Sequence, residues 1–282
     1  MRKLWLALAG AGAIAVAVAG VAYAVNVYTV TGGTTSASGK GSLSKPSPTS
    51  FKFGFLVDDS QGNRPAVIKQ YRIGAEGLEA FTKARPTCTF DQATNPNVGD
   101  PSQLAAACRR SFVGSGTIHN EAGSPTDRTQ KLTCDVKLTL INIRTGDPRF
   151  PATVKQIKRR GGGLAIRIDQ YQSNGVDDPS RCPPVDLHEA LAAPIYDVKI
   201  DGIKSAELRF TVPDTLAHPG GLDNAIRTVT TTIQKKTGKV KVGGVTRTVG
   251  YWSAVGRKGA KRTTRVTFID EDGVKKTATR QR

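Results

Sequence analysis

The sequence predicts a mainly β fold, an antiparallel β-sandwich with a few short helices. At least ten short segments alternate apolar and polar residues, which is the pattern of strands with one buried face. Turn residues interrupt the chain about every 8–14 residues, a spacing typical of sandwiches. Aromatic residues make up only 6% of the chain, and Val, Ile, Leu and Thr supply most of its apolar pattern, which favours strands.

The first residues have the composition of a secretory signal peptide. Arg2 and Lys3 precede an uncharged run over 4–25, and Ala22-Tyr23-Ala24 matches the A-x-A cleavage pattern. We therefore expect cleavage after Ala24. The alternative is a retained N-terminal anchor, since this run at about 1.5 Å per residue is long enough to cross a bilayer core. In both cases we expect the rest of the chain outside the cytoplasm, extracellular or at the cell surface.

The segment after the leader has the composition of a linker. Residues 25–50 are dominated by Gly, Ser, Thr and Pro, although 27–31 also suits a short strand. We therefore expect one folded domain over 51–282. Its first two strands are predicted at 51–57 and 66–73, joined as a hairpin by the polar turn between them.

Three short helices are predicted within the strand-rich domain. Apolar residues at helical spacing indicate a helix over 76–84. Ser102 is a suitable N-cap for a second helix over 103–109. The third is predicted over 185–192.

The strongest strand signal lies at 131–143, where five apolar positions alternate with polar ones: Leu132, Cys134, Val136, Leu138 and Leu140. Residues 224–233 are ambiguous between helix and strand, and their Thr-rich end favours a strand. The other strands are predicted at 111–119, 152–158, 164–171, 195–203, 206–212, 240–252, 262–269 and 274–279. The last two flank Asp272-Gly273, a hairpin signal.

Four cysteines remain after the predicted cleavage: Cys88, Cys108, Cys134 and Cys182. An even number in an exported chain is typical of disulfides, and four cysteines allow three pairings. We favour Cys88–Cys108, which closes a loop of about 20 residues, with Cys134–Cys182 as the second bridge. A zinc site is not expected, because the C-x2-C spacing is absent and the histidines are remote in sequence.

Positive charge is the most unusual bulk property. The 41 Lys and Arg against 23 acids give a net charge of +18, and loss of Arg2 and Lys3 leaves +16 (18 − 2). Residues 235–282 hold 14 basic and three acidic residues. Such a surface attracts anionic cell-surface polymers, whereas nucleic acid is disfavoured because few aromatics are present to stack on bases. The alternative is a solvated surface whose cations only maintain solubility.

The preferred ligand-binding candidate is an aromatic pair followed by five cations: Tyr251, Trp252, Arg257, Lys258, Lys261, Arg262 and Arg265. The rings would stack on a sugar while the cations hold carboxylate or phosphate groups. The alternative is that Trp252 belongs to the core and the cations protect an edge strand from aggregation.

No catalytic, metal or cofactor site is expected. A triad would draw on His119, His188, His218, Ser111, Ser115 and Asp127. No G-x-S-x-G motif is present and no spacing brings these residues together. The acidic clusters at 58–59 and 270–272 fall in predicted turns, so we interpret them as turn residues rather than glycosidase carboxylates. The loop over 159–163 is interpreted as a basic hairpin turn rather than a phosphate-binding loop.

A series of short motifs runs along most of the domain: Phe53-Gly54-Phe55, Cys88, Phe112–Thr117, Leu208–Pro213, Thr267-Phe268 and Asp272-Gly273. This series is similar to a group of exported proteins from high-GC Gram-positive bacteria. The resemblance implies a signal peptide, a few cysteines and strand-rich architecture, and it carries over no catalytic residue. The chain departs from the group in having no cysteine over 183–282, where members tend to carry a closing pair.

These features favour a non-enzymatic surface or wall-associated module that binds an anionic polymer through a basic C-terminal region. Two alternatives stay open. One is a structural or adhesive domain that binds another protein, and the other is a secreted hydrolase of glycans or esters. Membrane contact is expected only through residues 4–25, if the leader is retained.

Overall fold

Antiparallel strands dominate the computed structural model of the chain, which describes residues 26–33, 41–95, 97–98, 100–144, 146–148, 162–170, 182, 188–256 and 261–281. The strands are β1 (Asn26–Val30), β2 (Ser47–Thr49), β3 (Phe51–Asp59), β4 (Ile68–Ala75), β5 (Leu78–Ala80), β6 (Phe112–Gly123), β7 (Leu132–Arg144), β8 (Gly162–Gln170), β9 (His188–Ile200), β10 (Ile203–Thr211), β11 (Asp223–Ile233), β12 (Thr237–Val242), β13 (Val245–Gly250), β14 (Trp252–Ala254), β15 (Thr263–Asp270) and β16 (Lys275–Gln281). The short helices are α1 (Phe90–Ala93), α2 (Ala106–Arg110) and α3 (Asp214–Ala217).

One large sheet holds eleven of these strands, in the order β1-β3-β11-β6-β7-β8-β9-β10-β4-β15-β16. The sheet curls until its two edge strands, β1 and β16, contact each other. At this junction the Tyr28 ring lies 4.5 Å from the Phe268 ring, and Arg280 Nη1 donates to the Thr31 carbonyl at 2.5 Å. The prediction of a mainly antiparallel β fold is confirmed, and the arrangement lies between a sandwich and a barrel.

Two smaller sheets lie beside the large one. β2, β14 and β5 form a three-stranded sheet with β14 at its centre, and β12 pairs with β13 as a hairpin. The hairpin turns at Gly243 and Gly244, whose φ angles of 58° and 82° lie in the left-handed region that glycine adopts without steric cost. The single strand predicted over 240–252 is therefore wrong, because these glycines divide it.

The main hydrophobic core fills the interior of the curled sheet. On β7 the predicted alternation holds, since Val136, Leu138 and Leu140 are all buried there. Phe268, Tyr71 and Phe210 lie directly opposite one another on β15, β4 and β10 and form an aromatic row. Full burial of each such side chain contributes about 1.5–3 kcal/mol, so the inward faces of the strands supply most of the driving force.

A second, smaller core covers part of the sheet's outer surface. Ile141 and Ile143 of β7 pack there with Phe90 of α1 and Cys108 of α2. β7 therefore buries residues on both faces, because the helices cover the side that faces away from the main core. The capping box at Thr89, whose hydroxyl accepts from the Gln92 amide at 3.2 Å, begins α1.

Long-range strand pairing overturns three local predictions. The helix predicted over 76–84 is instead β5 and a short 3-10 turn, because β5 pairs with β14 at Leu78↔Ala254. The helix predicted over 185–192 is wrong where the structure describes it, since β9 begins at His188 between two partner strands. The hairpin predicted from 51–57 and 66–73 does not form, because β4 pairs with β10 and β15 rather than with β3.

The linker prediction is also wrong in part. β1 and β2 both lie within 25–50, and β1 pairs with β3 from Asn26↔Asp59 to Val30↔Phe55. Residues ahead of the predicted domain start at 51 therefore belong to the sheet. The predicted leader over 1–24 and the strand predicted over 152–158 lie outside the described residues. Among the residues described, no helix has both the length and the apolar character needed to span a bilayer.

Candidate functional site

The two disulfides pair as the sequence favoured. Cys88–Cys108 and Cys134–Cys182 have Cα separations of 4.9 and 5.2 Å, and the described residues include no free cysteine. They also contain no group of three or more His, Cys, Asp or Glu side chains placed to bind a metal. Paired cysteines are typical of an oxidising compartment.

The aromatic pair of the predicted ligand site lies in the core. Tyr251 and Trp252 are each 0% exposed, and the Trp252 ring lies 5.5 Å from that of Phe51. Burial raises the pKa of the Tyr251 hydroxyl far above its usual range. Neither ring can stack on a sugar, so the predicted stacking surface is wrong. Trp252 is buried because β14 lies at the centre of its sheet, between β2 and β5.

The five cations of that candidate do not share one face. Arg262 is half-buried and donates from Nη1 to the Glu76 and Val255 carbonyls at 2.8 and 3.1 Å. This Arg262 contact is structural, and burial lowers the pKa of the guanidinium. Lys261 is exposed, whereas Arg257 and Lys258 lie outside the described residues.

Arg265 belongs to a different cluster on the outer face of the large sheet. It lies on β15 opposite Gly74 of β4 and diagonal to Arg72, and Arg72 is directly opposite Arg209 of β10 in the strand register. The buried carboxylate of Glu207 accepts from Arg209 Nε at 2.8 Å and from Arg265 Nη2 at 3.1 Å. One carboxylate thus serves two guanidiniums.

A cleft of about 630 Å³ opens beside Arg72 and Arg209 of this cluster. We call it the arginine cleft. Its polar lining comprises Gln70, Arg72, Tyr196, Arg209 and Thr211. The Arg209 guanidinium stacks on the Tyr196 ring with its central carbon 4.2 Å from the ring centroid, which fixes the plane of its nitrogens. Arg72 donates from Nε and Nη2 only to the neutral amide oxygen of Gln70, at 3.1 and 2.9 Å, so its charge is not compensated within the described residues.

Sequence reasoning missed the arginine cleft because its members are far apart along the chain. Arg72, Tyr196 and Arg209 each occupy an outward position on a strand, which the alternation of apolar neighbours indicates correctly. No local signal places β4 beside β10, however. Only that pairing brings the two arginines together.

The hairpin of β12 and β13 forms a second cationic surface. Residues 235–250 hold five basic residues and no acid, and Lys239 and Lys241 of β12 are exposed. Gly238 packs closely on the Ala84 carbonyl, so the hairpin contacts the body of the protein through its other face. A groove of about 650 Å³ beside β13 adds Lys45 and Arg247, with hydroxyls from Ser42, Ser47, Thr246 and Thr248.

The residues considered for a catalytic triad do not converge. His119 Nδ1 lies 2.8 Å from Asp135 Oδ1, but Ser115 is four residues away on the same strand, about 13 Å at 3.3 Å per residue. Ser111 donates instead to the Ala107 carbonyl at 2.9 Å. The side chain of His188 and the loop over 159–161 lie outside the described part of the chain.

The interpretation of the acidic clusters as turn residues is correct only in part: Asp58, Asp59 and Asp270 end strands β3 and β15, whereas Glu271 and Asp272 lie in the β15–β16 turn. Asp59 Oδ1 accepts from the Gln61 and Asn63 amides at 2.9 and 3.2 Å. Asp270 Oδ1 accepts from the Val274 amide at 2.8 Å, and Glu271 pairs with His218 at 2.6 Å.

No protein-family model, curated protein or solved structure matches this chain.

Proposed function

We propose that the protein is an exported, non-enzymatic binding module for an anionic polymer, with the arginine cleft as its principal contact. The observation that carries this proposal is the direct cross-strand juxtaposition of Arg72 and Arg209 in an open cleft, where only Arg209 is paired with a carboxylate among the described residues. The leader-like N-terminus and the two disulfides support a location outside the cytoplasm.

The electrostatics of the arginine cleft favour an anionic ligand. Like charges directly opposite on neighbouring strands destabilise a sheet by roughly 0.2–1 kcal/mol. An anionic group bound between Arg72 and Arg209 would remove that repulsion. Guanidiniums hold carboxylate and phosphate oxygens in bidentate geometry. Because Arg209 stacks on the Tyr196 ring, its guanidinium is already oriented before an anion binds.

A polymer is favoured over a small anion because further cations are exposed elsewhere. The hairpin of β12 and β13 presents lysines without any neighbouring acid in its own sequence, and its groove combines two cations with four hydroxyls. Such a surface suits a hydroxyl-rich chain that carries phosphate or carboxylate groups at intervals. This extends the basic C-terminal region of the sequence prediction with residues from β4 and β10.

The test is binding of the exported protein to heparin and to neutral dextran by calorimetry over a range of salt concentrations. We expect heparin binding that weakens steeply with salt and no binding to dextran. Arg209→Gln and Arg72→Gln should each weaken heparin binding about tenfold, because each removes a charge-assisted hydrogen-bond donor.

Arg110→Gln is the matched control, since Arg110 is exposed at the end of α2 and does not line the cleft. It should change affinity no more than about twofold, the effect of one surface charge. Elution from heparin below about 0.15 M salt would exclude polymer binding under physiological conditions. Equal losses in Arg110→Gln and Arg209→Gln would exclude the arginine cleft as the principal contact.

A further inference from the structure

The interior of the curled sheet contains an apolar cavity of about 60 Å³. Its walls come from β3, β4, β6–β11 and α3, and the apolar lining includes Ile118, Leu138, Ile166, Ile168, Leu191 and Val229. Protein interiors are close-packed, and voids larger than a water molecule are few in any domain. The size and lining of this cavity therefore require an explanation beyond imperfect packing.

Two asparagines line one end of the cavity. Asn120 of β6 is 7% exposed, and its Oδ1 has no hydrogen-bond donor among the described residues. Asn224 of β11 also lines the cavity, and its Oδ1 is likewise buried without a donor there, while its Nδ2 donates to the Leu216 carbonyl of α3 at 2.8 Å. Asn120 is directly opposite Ile226, so the two asparagines are diagonal neighbours at about 7–8 Å.

Unsatisfied acceptors in an apolar interior are unfavourable, and native proteins rarely keep them without a reason. Leucine at either position would fill space and remove the penalty. The asparagines instead present two acceptor oxygens on adjacent strands, where a single donor group can approach both. This arrangement points to a ligand with an apolar body and one hydrogen-bond donor.

We propose that this cavity binds the hydroxyl- or amide-bearing end of an aliphatic molecule, with its polar group at Asn120 and Asn224 and its chain along the apolar strands. A cavity of about 150 Å³ holds benzene, which has six non-hydrogen atoms, so by proportion this cavity accommodates roughly two or three. The proposal is independent of the arginine cleft, which lies on the outer face of the sheet.

The probe is ethanol, which has three non-hydrogen atoms, compared with propane of the same size and no donor. Methyl-labelled exported protein is titrated with each, and the signals of Leu138, Ile166 and Ile168 are followed by NMR. We expect saturable shifts of these interior methyls with ethanol. Asn120→Leu should weaken ethanol binding roughly three- to tenfold, because it removes one hydrogen bond, and leave propane binding unchanged or tighter.

Thr231→Val is the control within the same cavity. Its hydroxyl also lacks a partner among the described residues, but Thr231 is opposite Gly116, about 13 Å along β6 from Asn120. It should alter ethanol affinity less than about twofold. Asn224→Leu replaces Asn120→Leu as the test if the latter does not fold, and the same loss is expected.

Three results would overturn the proposal. The first is the absence of saturable shifts at the interior methyls, as expected if the cavity only holds water. The second is equal weakening of ethanol and propane binding by Asn120→Leu. The third is an equal effect of Thr231→Val and Asn120→Leu on ethanol binding.

Discussion

At the scale of single residues, many of the cations are structural rather than available to a ligand. Arg64 is 0% exposed and donates to the Ser124 and Gln130 carbonyls at 2.7 and 2.9 Å. Arg167 is equally buried and pairs with Asp169 at 2.9 Å while binding carbonyls that follow α1. A net charge of +18 therefore overstates the cationic surface, and burial decides which guanidiniums remain free.

Tyr71 gives a residue-scale prediction about stability. Its ring is 0% exposed and stacks between Phe55 and Phe210, but its hydroxyl has no hydrogen-bond partner among the described residues. Burial raises the pKa of this hydroxyl well above its usual value. Tyr71→Phe keeps the ring contacts and removes the unpaired group, so we expect stability to be unchanged or higher by about 1 kcal/mol, measured by urea unfolding.

Tyr28→Phe is the matched control for this substitution. The Tyr28 hydroxyl accepts from Asn26 Nδ2 at 3.3 Å, so its removal should cost a few tenths of a kcal/mol rather than stabilise. A loss of more than about 1 kcal/mol in Tyr71→Phe would mean that the Tyr71 hydroxyl has a partner after all.

At the scale of elements, irregularities in β11 and after α3 shape one end of the molecule. A bulge between Ile226 and Thr228 shifts the alternation of β11, so that both Ile226 and Val229 line the cavity. The bulged residue, Arg227, pairs with Glu121 and with Asp58, which fixes the distortion. The broken alternation explains why the sequence of β11 was ambiguous between helix and strand.

His218, which follows α3, connects this end to the β15–β16 turn. Its Nδ1 lies 3.1 Å from Asp223 Oδ1 and its Nε2 lies 2.6 Å from Glu271 Oε1. Each ring nitrogen faces an acceptor, so the contacts require the protonated imidazolium. The pKa of His218 is raised, chiefly by the hydrogen bond with Glu271, with partial burial acting in the opposite direction.

The stability that His218 contributes should therefore depend on pH. A pKa raised on folding means that the contribution is complete below the unfolded value of about 6.5 and is lost as the pH rises through the folded value. Wild type should exceed His218→Gln in Tm by a few °C at about pH 5.5, and the difference should vanish by about pH 8.5. Thermal unfolding followed by circular dichroism over this range measures it.

His119→Gln provides the control, because it removes a histidine that pairs with Asp135 on another part of the sheet. A Tm difference between wild type and His218→Gln that grows as the pH rises would contradict a raised pKa for His218.

At the scale of the whole molecule, four of the ten strand pairings described in the large sheet join segments about 100 or more residues apart. β3 pairs with β11, about 175 residues later in the chain, and β4 pairs with β15, about 195 residues later. The disulfides act over shorter separations, by restricting the unfolded chain. Cys134–Cys182 spans 48 residues and Cys88–Cys108 spans 20.

Removal of the disulfides gives a prediction for the whole fold. In the chain-entropy model, Cys134→Ser with Cys182→Ser should cost about 4 kcal/mol, and Cys88→Ser with Cys108→Ser about 3 kcal/mol. The shorter loop costs less because it restricts the unfolded chain less. Urea unfolding of each double variant measures the two losses of stability. A larger loss of stability on removing Cys88–Cys108 would show that the packing of α1 and α2 outweighs loop entropy.

The sequence predicted those features that depend on residues close together in the chain, and missed those that depend on residues far apart. The strands near 51–57, 131–143, 262–269 and 274–279 were correct because apolar alternation and turn residues act locally. The aromatic part of the predicted site failed because alternation does not reveal that β14 is a central strand. The arginine cleft and the cavity asparagines gave no local signal at all.

The sequence by itself determined the leader-like N-terminus, the high positive charge, the favoured disulfide pairing and the β class, since these follow from composition and short-range periodicity. Tertiary structure alone decided which strands are neighbours. That choice brought Arg72 beside Arg209 and Asn120 beside Asn224, and it buried Trp252. The physical reason is that strand pairing is selected by the total burial of the sheet, which no single segment encodes.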